Sequence, residues 1–141
     1  MVVLDTDHLS LLERDNADSL TLQMRLERIP ARQIATTVVN YEEQMRGWLE
    51  RTARANTRER LLVAYSRLLL HVETFKGIPL LPFDEKAADE FERLQKAKVR
   101  VGTMDPKIAA IALANDATLL TRNLSDFGQI PRLKVEDWSA T

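Results

Sequence analysis

The sequence has no cysteine, which excludes a disulfide framework, a thiolate zinc site and a cysteine nucleophile, and makes a reducing cytoplasm the natural setting. It also lacks a targeting signal. Met1-Val2-Val3-Leu4-Asp5 has neither a basic n-region nor a long apolar h-region, and no later stretch approaches the roughly 18 uninterrupted apolar residues of a membrane helix. A soluble, untargeted protein with no membrane partner is expected. Excess positive charge is missing too: the net charge of −1 argues against a protein that coats nucleic acid through a global field, leaving only local patches. With no internal repeat, low-complexity tract or linker, the 141 residues fit a single domain, 1–141, large enough to bury its own core.

What is present starts with Val2-Val3-Leu4-Asp5-Thr6-Asp7, a short apolar run that reads as a buried strand and ends in two carboxylates. Asp5 then stands at the carboxyl end of a strand, where ligand crevices of open α/β sheets lie. The competing reading is that Asp5 and Asp7 cap the helix that begins near His8. A polar run at Asp15–Ser19 precedes a second helix stopped by Pro30. Ile34-Ala35-Thr36-Thr37-Val38-Val39 is β-branched and predicts a second strand, with helix taking over from Glu42 to about Ala55. A long helix from Thr57 to about Phe75, ended by Gly77, pairs with it. A third strand is expected within 78–83, followed by a helix capped by Asp84. After the basic connection of 96–103, Asp105-Pro106 opens a buried helix with Asp105 as the expected N-cap. Residues 117–121 form a fourth strand, a loop with a helical turn follows at 122–128, and Leu133-Lys134-Val135 adds an edge strand.

Strands alternating with helices imply right-handed crossovers and a mostly parallel sheet of four to five strands, with the loops of one end gathered together. Asp5, Glu43, Asp105 and Asp126 would then line one crevice. Like charges that close disfavour mutual ionisation unless a cation sits among them, and a hard divalent ion with oxygen ligands answers that need.

Leu4-Asp5-Thr6-Asp7, Thr37 to Glu43 with Gly47 beyond, Asp105 with Ile108-Ala109-Ala110, Thr121 to Phe127 and the closing Val135 to Trp138 together resemble the motifs of PIN domains, most closely the VapC-type toxins of prokaryotic toxin–antitoxin pairs. The ordered set covers nearly the whole chain. The resemblance implies a small α/β/α sandwich and an endoribonuclease dependent on Mg²⁺, with Mn²⁺ as a substitute. Carried over by position, Asp5, Glu43 and Asp105 would be metal ligands and Asp126 a fourth acid often acting through water. Thr121 and Asn123 would support the site by hydrogen bonding, and Asp7 would be either a helix cap or a further supporting acid. An RNA substrate, an antitoxin partner and a homodimer are implied in the same way. Glu43 is chosen over Glu42 because it precedes Gly47 by four positions, and a helical step of about 100° turns Glu42 elsewhere.

Two other functions fit parts of the pattern. Asp5-x-Asp7 after a strand also opens the haloacid-dehalogenase phosphatase motif, but Leu9 stands where Thr or Val is wanted, and the late lysine and paired Asp-Asp are missing. A non-catalytic binding module whose acids only cap helices is the other. His8 is expected at the surface or a helix start, His71 in a structural role, and Trp48 and Tyr65 in core or interface, against the alternative that they stack RNA bases. The arginine-rich pair of helices, with Arg46, Arg51 and Arg54, is a candidate surface for RNA or antitoxin, against the simpler reading of a solvated face.

Overall fold

The computed structural model describes residues 1–99 and 101–140. Arg100, within the basic connection of 96–103, and Thr141 lie outside the described residues. Strands β1 (Val2–Leu4), β2 (Ile34–Thr37), β3 (Leu80–Leu81), β4 (Thr118–Leu120) and β5 (Lys134–Glu136) form one sheet of order β3-β2-β1-β4-β5. Every pairing is parallel. The strand nearest the N-terminus therefore lies at the centre of the sheet.

Helices α1 (Thr6–Leu12), α2 (Ala17–Leu26), α3 (Val38–Arg54), α4 (Arg58–Lys76), α5 (Glu85–Lys96), α6 (Asp105–Ala114) and the short α7 (Leu124–Phe127) flank it. Side chains alternate across a strand, so one strand feeds two cores. Val3 and Leu119 pack with Ala87, Leu94, Ile108 and Ile111 beneath α5 and α6. Val2, Leu4 and Leu120 pack with Leu9, Leu22, Leu26 and Phe75 beneath α1, α2 and α4. The result is a three-layer α/β/α sandwich. No helix among the described residues is long and apolar enough to cross a membrane.

Local chemistry sets the boundaries. Asn16, Thr57 and Asp84 cap α2, α4 and α5 by accepting the backbone N–H three residues on, the geometry that satisfies an orphan donor of the first turn. Two boundaries depart from expectation. Val38 and Val39 belong to α3 rather than to β2, because the Thr37 hydroxyl accepts the Asn40 N–H (3.1 Å) and starts the helix there, overriding the β preference of two valines. Asp105 is the first residue of α6, not its N-cap, a position held by Met104; its carboxylate is thus left free of the cap.

Thr37 is fully buried and also donates to Asn40 Oδ1 at 2.7 Å. Thr37→Val keeps the shape but removes both bonds, and should lower stability by about 1–2 kcal/mol in chemical or thermal unfolding. An unfolding midpoint equal to that of the parent would refute the capping account.

Candidate active site

The chain leaves β1 towards β2 and β3 on one side and returns to β4 and β5 on the other. The crevice beyond the carboxyl ends of β1 and β4 is therefore the topological switch point, where open α/β sheets bind ligands. Asp5 follows β1 and Thr121 follows β4, and the two meet there: Thr121 Oγ1 donates to Asp5 Oδ2 at 2.8 Å, with Asp7 Oδ2 at 3.2 Å. On the other side of Asp5, the Asn40 side-chain amide donates to Oδ1 at 3.0 Å and reaches Thr6 Oγ1 at 3.2 Å. Thr6 passes the contact on, its hydroxyl donating to Glu43 Oε1 at 2.7 Å. Because Thr37 donates to the Asn40 carbonyl, the amide nitrogen is the end that faces Asp5.

These bonds only partly relieve the cost of burial. Asp5 is buried, and desolvation, with a smaller contribution from the charge of Asp7, pushes its carboxyl up to about 6 against the bonds from Thr121 and Asn40. At the N-terminus of α6, Asp105 is also raised, by burial first and then by repulsion from Glu43 and Asp126. Asp126, on α7, is steadied by the Asn123 side-chain amide at 3.1 Å. Glu42 turns outward to Arg46 along the same helix. Asp5 and Glu43 are thus joined through Asn40 and Thr6, while Glu43 and Asp126 act on Asp105 through charge. As they lie, no three His, Asp or Glu side chains among the described residues are drawn tightly enough together to chelate one ion. The donor set still fits a hard divalent cation: every potential ligand atom is a carboxylate oxygen, and the shared repulsion on Asp105 is what such an ion would relieve.

Neither aspartate after β1 acts as a side-chain cap. Asp5 holds the N-cap position of α1 without a capping hydrogen bond. Asp7 accepts from the Arg122 backbone N–H (2.9 Å) and from His8 Nδ1 (2.7 Å), and so anchors the segment leaving β4. Burial works against its charge, but the His8 bond and the Arg122 N–H outweigh it and hold the carboxyl below its ordinary value. His8 stands at the start of α1, as one expectation had it, but not at the surface. The ring is fully buried, and its Nε2 accepts the Trp138 backbone N–H at 3.1 Å, which leaves Nδ1 to carry the proton given to Asp7. Arg46 and Arg54 are exposed and tied to Glu42 and Glu50 one turn away. Arg51 lies over the Trp48 ring, 4.6 Å from its centroid.

Asn40, Thr6 and Thr37 join the site only in the folded chain. A signal existed for Asn40: it stands three residues after a threonine that ends a strand, the spacing of an N-cap and the third helical residue, which points its side chain back at the strand end.

The PIN domain family model matches residues 2–133. The chain belongs to the PIN domain family, whose members are generally nucleases, hydrolases of nucleic acid. Solved structures share the fold. FitAcB from Neisseria gonorrhoeae is 22% identical with a TM-score of 0.72, covering 100% of both chains. VapBC-1 from nontypeable Haemophilus influenzae is 20% identical with a TM-score of 0.74, covering 99% of this chain and 100% of that one. VapBC2 from Rickettsia felis, bound to a DNA fragment from its promoter, is 21% identical with a TM-score of 0.71, covering 98% and 99%. No curated protein matches the chain.

Proposed function

We propose that this protein is a metal-dependent endoribonuclease acting in the cytoplasm as the toxin of a type II toxin–antitoxin pair. The observation that supports the reading is a PIN fold with Asp5 at its switch point and Asp105 raised by burial and then by the charges of Glu43 and Asp126. Asp5, Glu43 and Asp105 would hold Mg²⁺, or Mn²⁺ in its place, and Asp126 would act through water. A cation held there supplies an activated water for attack at phosphorus and steadies the leaving oxygen. The chain's own contribution is orientation. Thr121 and Asn40 fix both oxygens of Asp5, Thr6 fixes Glu43, and Asn123 fixes Asp126. The phosphatase alternative falls with the family assignment.

A protein partner is supported by α4, where Leu61, Leu62, Val63, Tyr65 and Leu69 are all at least 40% exposed. A row of large apolar side chains in water marks an interaction surface. Solved structures of the same fold, a toxin–antitoxin complex from Klebsiella pneumoniae and a member of the VapBC family of toxin–antitoxin systems from Mycobacterium tuberculosis, favour an antitoxin as the occupant, with a homodimer as the second use of such a face.

Purified protein should cleave RNA with Mg²⁺ or Mn²⁺ and lose that cleavage in EDTA, and Asp105→Asn should reduce the rate by a hundredfold or more. Expression alone should arrest growth, and co-expression with the product of the neighbouring upstream reading frame should restore it. A folded protein that cleaves no RNA with either ion, yet co-purifies with that product, would make the non-catalytic binding module the correct reading.

A further inference from the structure

Next to Glu43 a cleft of about 370 Å³ opens between α1, α3 and α4. Its walls carry Arg14, Arg51 and Arg67, none of which forms an ion pair among the described residues, in contrast to Arg46, Arg54 and Arg93. Cationic guanidinium forks with no carboxylate partner, facing one cavity, match the geometry of phosphate oxygens. Arg51 and Trp48 form a stacked pair at the same wall, a flat surface of the kind on which a nucleobase lies.

The lining is rigid at His71 and open at Gly47. His71 lines it and is buried; its Nδ1 is held by Glu13 at 2.8 Å and its ring meets Trp48 edge-on with centroids 4.8 Å apart, yet Nε2 has no hydrogen-bond partner. Nε2 itself has almost no accessible surface, so the ring forms a fixed wall of the cleft behind Trp48. Gly47 also lines the cleft in the middle of α3, where glycine costs roughly 1 kcal/mol relative to alanine. A Cβ built there meets nothing within 4 Å. No packing or backbone requirement therefore calls for glycine, and what its side chain would occupy is the cavity itself.

We propose that this cleft is a subsite for the RNA strand beside the scissile bond, with Arg14, Arg51 and Arg67 engaging phosphates and the Trp48–Arg51 face stacking a base. It rests on the nuclease reading for its choice of ligand, and it deepens that reading. The geometry separates arginines that act on RNA from those of the same helical pair that only brace their own helix.

The test is binding of a fluorescent single-stranded oligoribonucleotide without divalent metal, so that it stands apart from cleavage, together with steady-state cleavage in Mg²⁺. Gly47→Leu fills the cleft without removing a charge, and Arg14→Gln with Arg67→Gln removes two charges without filling it. Each variant should weaken oligoribonucleotide binding tenfold or more. In cleavage the loss should fall on KM, with kcat at saturating RNA within about twofold. The double arginine variant should also flatten the salt dependence of binding by about 1.4, since each single-strand phosphate contact contributes a slope of about 0.7. Arg93→Gln, on α5, removes a charge away from the cleft and should change neither quantity. Folded Gly47→Leu and double arginine variants that bind oligoribonucleotide as the parent does would overturn the proposal, and so would a loss confined to binding of a protein partner. A parent that binds RNA through this cleft but never cleaves it would preserve the subsite and defeat only the nuclease reading.

Discussion

Asp5→Asn should abolish metal-dependent RNA cleavage and, in the metal-free protein at pH 7.5, make the fold more stable. Both effects come from one buried carboxylate. In the folded chain Asp5 keeps its proton to about pH 6, against 3.8 for an unperturbed aspartate. The folded form therefore binds more protons than the unfolded form between those values, and stability falls as pH rises through that window. Above pH 6 the full cost of the buried charge is present, about 3 kcal/mol at 1.36 kcal/mol for each pKa step. Asparagine removes the charge and keeps the contacts. Its carbonyl accepts from Asn40, and Thr121 turns its hydrogen to Asp7 Oδ2, already at 3.2 Å. The gain should approach 2–3 kcal/mol, a melting shift of roughly 5–10 °C for a chain of this size. It should shrink towards zero as pH falls to about 4. Mg²⁺ should raise the melting temperature of the parent but not of the variant. If Asp5→Asn is less stable than the parent at pH 7.5 and equally so at pH 5, the carboxylate is not carrying the strain assigned to it.

His8→Ala should have the largest effect on stability. The ring is wholly buried and spans the molecule's N-terminal and C-terminal parts, giving its Nδ1 proton to Asp7 and taking the Trp138 N–H on Nε2. Truncation leaves a cavity, an unpaired backbone N–H and a carboxylate short of a donor. Cavity formation and lost hydrogen bonds together predict about 3–4 kcal/mol. Cleavage should fall as well, because Asp7 fixes the Arg122 backbone N–H and shares Thr121 with Asp5. His8→Asn, which retains a donor for Asp7 but cannot reach Trp138, should recover part of the activity and little of the stability. Equal unfolding free energies for His8→Ala and the parent would show that the C-terminal segment does not depend on this ring.

The contrast between these two residues marks how far sequence reasoning reaches. Asp5 is legible because its strand is local: three apolar residues announce β1, and the acid that follows must stand at its end. The other strands and the cap at Asp84 are legible for the same reason, since each is fixed by residues within one turn or one strand. His8 is not legible, because its partner Trp138 lies 130 positions away and nothing near position 8 reports it. Val38 and Val39 mislead in the opposite direction: their β preference is real but smaller than the helix start set by Thr37 and Asn40. Among the arginines, sequence shows a cluster, and only the fold divides it into Arg46 and Arg54, braced by their own helix, and Arg51, turned to the cleft. Sequence puts Asp105 one position too far out, because Pro106 is compatible with either of the first two helical positions.

The central position of β1 has a consequence for timing. Val2, Val3 and Leu4 must pair with Thr118, Leu119 and Leu120, and the bond from Thr121 to Asp5 closes a loop of 116 residues. Contacts so distant in sequence form late and slowly, because the closure entropy is lost before the pairing returns it. β1 stays at the middle of an unfinished sheet until β4 is in place. Asp5 and Thr121 therefore meet only after β4 has formed, so the contact that fixes the Asp5 carboxylate is among the last the fold makes.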